Sequence, residues 1–274
     1  MVKKIKHILA LPFEDFFSGL ESCLAKLSYF KLLLMILCFV ISWWVYVPLH
    51  ELGHAFGCIL GGGSVSELQI SPMYGAAFLK TIFPFVSVGS EYAGQLTGFD
   101  TKGSDLIYLL TDFFPFLLTI FIGVPLLRSA AGSKPLSAAI KLGFGLPIAF
   151  APFISFSGDY YEMGSIIVSG VANFISATSQ FTIWRSDDVF KLAGELFFSG
   201  NPYGFIDIAG VALSFILGLI LIYATYMLGV LWSDIILRPK SNLVSNLRLS
   251  IFFSLVFSLY KQTFVLELSQ VQLF

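Results

Sequence analysis

Residues 29–60 (YFKLLLMILCFVISWWVYVPLHELGHAFGCIL) form one long apolar run into which two histidines and a glutamate are set. A helix of that length, rising 1.5 Å per residue, exceeds the roughly 30 Å hydrocarbon thickness of a bilayer. Ionisable groups at that depth are costly, so a chain that keeps His50, Glu51 and His54 there must give them a strong partner. This segment constrains fold and function together: the chain has to build a bundle in lipid, and the bundle has to hold a polar site.

The rest of the sequence agrees with such a bundle. Of 274 residues, 57% are hydrophobic and only 12% charged, a balance that a soluble globular surface does not tolerate. The net charge of −1 provides no field for nucleic acid or an anionic substrate. Cys23, Cys38 and Cys58 are odd in number and lack metal-type spacing, so they read as small hydrophobes rather than a disulfide framework.

Residues 1–28 begin with lysines, but Pro12, Glu14 and Asp15 break the apolar stretch and no small-residue cleavage site follows. They predict a retained amphipathic segment at the membrane surface. Residues 29–274 then form a single transmembrane domain whose site region covers 29–175. Spans are expected at 29–60, 106–127 and 205–232. Residues 142–156 and 160–175 form either two half-spans or one helix interrupted at SFSGD. Pro48 should loosen the first span just before the histidines, and Gly61-Gly62-Gly63 should end it.

Residues 64–105 carry short apolar runs broken by Gly, Ser and Pro, with alternation in SVSELQI, which predicts hairpins or re-entrant elements. Residues 177–204 read as a polar connection, and 251–265, interrupted by Lys261, as a surface segment. The expected fold is an all-α polytopic membrane protein, a bundle of about four to six transmembrane helices with a small β-hairpin or re-entrant region after the first. Lysines and arginines concentrate at 3–31, 128–141 and 238–248, which makes these regions cytoplasmic by the positive-inside bias. Residues 61–105 and 177–204 then lie on the other side, provided that 142–175 crosses only once.

The pattern His50-Glu51-Leu52-Gly53-His54 places two imidazoles one turn apart on one helix face, where both reach a single zinc ion, with Glu51 beside it as a general base. The plainer reading makes them core histidines that hydrogen-bond between helices. A shared cation accounts better for three ionisable groups within five residues. A catalytic zinc site needs a third protein ligand and an open position. His7, the one remaining histidine, lies in the basic N-terminal segment, so that ligand should be a carboxylate.

The segment Pro48-Leu49-His50-Glu51-Leu52-Gly53-His54-Ala55-Phe56, followed by a glycine-rich exit and a strand-like stretch, resembles the site-2 protease family of intramembrane zinc metalloproteases. The likeness is specific at this motif and architectural over 29–175. It implies a zinc peptidase that cleaves in or near transmembrane segments of membrane proteins or peptides, with His50, His54 and a later aspartate as ligands and Glu51 as base. The family sets its aspartate in a Leu-Asp-Gly context. Asp159, in FSGDYYEMG, is the position chosen here, although its glycine, Gly158, precedes it; that glycine would allow close backbone approach.

Asp159 could instead cap a helix, forming a capping box with Glu162. Asp112, Glu162, Asp207 and Glu91 compete as ligands, and Asp112 stands where the family often places a polar group that contacts the substrate backbone or oxyanion. Gly53 would admit a helix or the substrate, while Trp43, Trp44 and Tyr46 read as packing or interface anchors. SVSELQI, as an edge strand near the zinc, could hold an extended substrate by β-augmentation, or be only a structural hairpin. The charge bias makes the HELGH helix run outward, whereas in the family it commonly runs toward the cytosol. Two other functions use the same residues: a membrane metal-binding protein or metal transporter, and an inactive relative that acts as an adaptor.

Overall fold

A computed structural model describes residues 2–26, 28–177, 179–198 and 204–237. The expected surface segment at 251–265 lies outside the described residues.

The amphipathic α1 (Val2–Leu24) lays Leu11, Phe16 and Leu20 onto the bundle. After it, α2 (Tyr29–Gly61) runs as a single 33-residue helix straight through Pro48. Its buried positions include Cys38, Ser42, Tyr46, His50, His54 and Cys58, a stripe repeating every four residues. Leu33, Leu37 and Val40 on the opposite face are exposed. The helix ends at Gly62, whose φ of +98° is the left-handed conformation that lets the Gly62 and Gly63 amides return to the Ile59 and Cys58 carbonyls at 3.0 and 2.9 Å.

The next segment is a sheet, not a hairpin. β1 (Ser64–Ile70) leads through a 3-10 turn and α3 (Ala76–Ile82) to β2 (Val86–Val88) and β3 (Gly94–Asp100), in the order β2-β1-β3. β1 pairs parallel with β2 and antiparallel with β3, Ile70 opposite Gly94. A parallel pair needs a crossover, which residues 71–85 provide. β1 is therefore central and paired on both sides, so SVSELQI is no edge strand; the edges belong to β2 and β3. Leu68, Ile70 and Val86 pack with Val47, Leu52 and Ala55 of α2.

A second pass of 26 residues is made of α4 (Asp105–Phe113), a 3-10 turn, a π-helical turn at Thr119–Gly123 and α5 (Val124–Ala130). α6 (Pro135–Ile154) and α7 (Asp159–Ser176) follow, joined by the 3-10 turn Ser155–Ser157, then α8 (Val189–Phe198) and α9 (Phe205–Leu237). Close contacts fix their directions. Gly61 meets Ile107, Gly57 meets Leu110 and Gly53 meets Pro115, so α4 runs antiparallel to α2. Gly53 thus admits a neighbouring helix: a Cβ there would lie 2.8 Å from Pro115 Cα. Small residues that bring backbones this close let apolar helices hold one another by dispersion.

α6 runs parallel to α2, with Ser42 donating to the Phe144 carbonyl at 2.8 Å. α7 continues in the same direction, because Glu162 meets Tyr108 and Gly170 approaches Asp105 further along α4. α6 and α7 therefore run in the same direction, with a break at residues 155–158. α9 returns beside it, Gly210 against Trp184, Gly218 against Tyr160 and Gly229 against Val124. Residues 61–104 and 179–198 share one end of the bundle, while α1 and the basic turn 128–141 share the other. Among the described residues, Tyr29–Gly61, Asp105–Ala130, Pro135–Ser157 and Phe205–Leu237 are long and apolar enough to cross a membrane. The three cysteines are buried and free.

Candidate metal centre

The α2 stripe carries Tyr46, His50 and His54 to the same depth as the break between α6 and α7. His54 Nδ1 lies 3.0 Å from the Thr111 carbonyl, an acceptor only, so Nδ1 carries the proton and Nε2 bears the lone pair. His50 Nδ1 meets the Tyr46 hydroxyl at 2.9 Å, one turn earlier on the same helix. Both Nε2 atoms point to one spot, 3.2 Å from each other.

Asp159 closes that spot from the start of α7. Its Oδ2 lies 3.3 Å from His50 Nε2 and its Oδ1 3.8 Å from His54 Nε2. One ligand atom from each of the three residues lies within 4.8 Å of the others, a group that could hold a metal ion. Tetrahedral ligands at zinc distances of about 2.0–2.1 Å stand about 3.3 Å apart, so the spacing fits. The chemistry fits as well, since a bare lone pair and a carboxylate facing one another in a buried site need a positive centre between them. His50 and His54 are only 9% and 8% exposed.

The capping alternative for Asp159 fails. Gly158 is the N-cap without a side-chain cap, and the Glu162 amide bonds its carbonyl at 2.9 Å. The Glu162 carboxylate instead accepts the Tyr108 hydroxyl. Gly158 makes no close approach, for a Cβ there would meet the Asp187 and Ser155 carbonyls at an ordinary 3.4 and 4.0 Å. The break is made by the 3-10 turn, which aims Asp159 back toward α2.

Glu51 occupies the adjacent face of α2 and is covered by β3. Any Cβ at Gly94 would run into the Glu51 side chain, lying 2.7 Å from its carboxyl carbon, so a glycine there is a steric requirement. Glu51, His50, His54, Asp159, Gly94 and Leu96 all line a cavity of about 570 Å³. Arg185 closes its outer rim, bidentate to Asp105 at 2.6 and 2.8 Å and donating from Nε to Ser169 at 2.8 Å.

Of the competing ligands, Asp112 and Glu162 stand in the cavity wall but outside the metal group. Asp207 instead accepts from Trp184 Nε1 and the Gly204 amide, each at 3.0 Å. Glu91 is exposed between β2 and β3. His7 pairs with Glu14 on α1 at 3.5 Å. Sequence reasoning gave Tyr46 only a packing or interface role and missed Gly94, Tyr108, Thr111 and Arg185. Tyr46 was reachable from its position one turn before His50; the others are brought in by tertiary contacts and carry no local signal. No protein-family model matches the sequence, and no curated protein or solved structure matches it either, so the functional reading rests on this geometry.

Proposed function

We propose that the chain is an intramembrane zinc metalloendopeptidase, site-2 protease-like, that hydrolyses peptide bonds in or near transmembrane segments of membrane proteins. The observation that carries this is the convergence of His50 Nε2, His54 Nε2 and the Asp159 carboxylate beside Glu51 in a cavity that opens to the surface. Four long apolar helices support a bilayer setting.

His50, His54 and Asp159 would hold the zinc, with Tyr46 and the Thr111 carbonyl orienting the two rings from behind. A zinc ion in that position supplies Lewis acidity, which makes water a better nucleophile and polarises a carbonyl. Glu51 takes the proton of the attacking water and delivers it to the leaving amine as the C–N bond breaks, giving one new carboxyl and one new amino terminus. A helical substrate hides its carbonyls in its own hydrogen bonds and must be unwound first. β3 supports this step, being the sheet edge whose Gly94 and Leu96 line the cavity, where an extended segment can pair as a further strand.

The test compares wild type with Glu51→Gln in detergent. The variant should keep one zinc per chain and lose cleavage of a transmembrane substrate. Zinc uptake into vesicles that persists in Glu51→Gln would favour a transporter. Absence of cleavage in wild type, with substrate still bound, would favour an adaptor.

A further inference from the structure

A second, smaller recess of about 150 Å³ lies between α2, the end of α6 and the start of β3. His50, Glu51 and Ser155 stand in its wall as well as in that of the main cavity, so the recess lies directly against the metal group. Its other wall residues are Trp43, Tyr46, Val47, Ala93, Ala151 and Ile154. Tyr46 has already turned its hydroxyl to His50 Nδ1 at 2.9 Å, and no charged side chain other than Glu51 joins the wall. An apolar space of this size takes a benzene-sized group, whereas a polar side chain placed there loses its hydrogen bonds to water.

The sheet says how a peptide reaches it. The Ser71 amide bonds the Ala93 carbonyl at 3.0 Å, and the register pairs Ile70 with Gly94 and Leu68 with Leu96. Backbone groups alternate in direction along a strand, so those of Gly94 and Leu96 turn away from β1, toward the open edge. Consistently, Leu68 and Ile70 spend theirs on the β2 side, on the Phe85 carbonyl and the Gly89 amide at 2.8 and 3.0 Å. An extended chain that pairs with Gly94 and Leu96 lies in the main cavity, and its next residues pass Ala93 at the recess. Successive side chains of such a chain stand on opposite faces, so one beside the metal group points to the recess while its neighbours do not.

We infer that this recess receives an apolar side chain of about leucine size, carried by a substrate residue next to the scissile bond. The inference rests on the peptidase reading and makes Ala151 and Ile154 determinants of specificity.

The experiment uses the full chain in detergent and a peptide series with Leu, Ala or Asn at single positions on either side of the cleavage site. At one position wild type should cleave the Leu peptide with kcat/KM at least about tenfold above both others, the scale of a filled apolar pocket. Ala151→Leu, which fills the recess, should cut the Leu to Ala ratio about tenfold. Ile154→Ala, at a position 56% exposed, should enlarge the recess and move the preference from Leu toward Phe. Both variants should keep one zinc per chain, and labelled peptides should bind Glu51→Gln in the wild-type order of preference. Equal cleavage of all three peptides at every position, or a Leu preference that neither variant shifts, overturns the inference and leaves the peptidase reading standing. A Leu preference in binding with no cleavage by zinc-loaded wild type overturns the peptidase reading and keeps the recess as a side-chain site. A Leu preference that vanishes on addition of phospholipid assigns the recess to an acyl chain and overturns the inference. Where Ala151→Leu does not fold, the more exposed Ile154→Ala decides.

Discussion

The two ends of the bundle both bury charge, but they group it differently. At the basic end, Arg128 sits between Asp15 of α1 at 3.9 Å and Asp234 of α9 at 3.3 Å, and Tyr226 donates to Asp15 at 2.9 Å. One cation between two acids ties α1, α5 and α9 together, with Arg128 Nη1 left without a hydrogen-bond partner among the described residues. At the cavity end the acids outnumber Arg185, which Asp105 already occupies, and among the described residues Asp112 Oδ2 has no hydrogen-bond partner. At the basic end the charges meet one another and join helices, whereas at the cavity end two imidazoles and a carboxylate converge on one spot that could hold a metal ion.

If this contrast is right, substitutions at the two ends should separate stability from metal binding. His50→Ala or His54→Ala should abolish stoichiometric zinc and all cleavage, yet leave the thermal unfolding of the metal-free protein close to that of metal-free wild type, as zinc analysis and calorimetry in detergent would show. Glu51→Gln should keep zinc and lower the cleavage rate by about 10²–10⁴-fold, the usual scale for a positioned base. Arg128→Met should do the opposite, costing about 3–5 kcal/mol by stranding Asp15 and Asp234 while folded protein still binds one zinc. Unchanged stability in that variant would break the comparison.

Smaller effects sharpen it. Gly57→Leu should cost about 1–3 kcal/mol, because a side chain there meets the Leu110 carbonyl and the Phe114 side chain, and it should weaken zinc by displacing Thr111 from His54. Asp15 gives the smallest signal. Burial raises its carboxyl above 3.8, against the downward pull of Arg128 and Tyr226. The folded state therefore binds this proton more tightly than the unfolded chain, so its contribution is greatest below 3.8 and is lost as pH rises through the raised value. Asp15→Asn should flatten that slope in unfolding midpoints measured across pH.

Much of the bundle was legible in the sequence because apolar length and glycine punctuation are local properties. The first helix, expected at 29–60, runs over Tyr29–Gly61 and ends at the glycines. The sheet was harder: alternation marks SVSELQI as a strand, but nothing local says that residues 71–85 cross over and make it central. That α7 continues in the direction of α6 past the break at 155–158 was likewise decided by distant contacts, those of Glu162 with Tyr108 and Gly170 with Asp105.

At the site, the sequence by itself determined that two imidazoles share a helix face with a glutamate between them, because 3.6 residues per turn leave no alternative once the helix forms. Tertiary structure decided which acid joins them, bringing Asp159 across 109 positions of chain from His50 to within 3.3 Å. It also decided that Gly94 covers Glu51, and that Asp112 is buried in the cavity wall. Helical periodicity fixes neighbours within a turn, whereas the meeting of separate helices depends on which faces fit closely enough to exclude everything else.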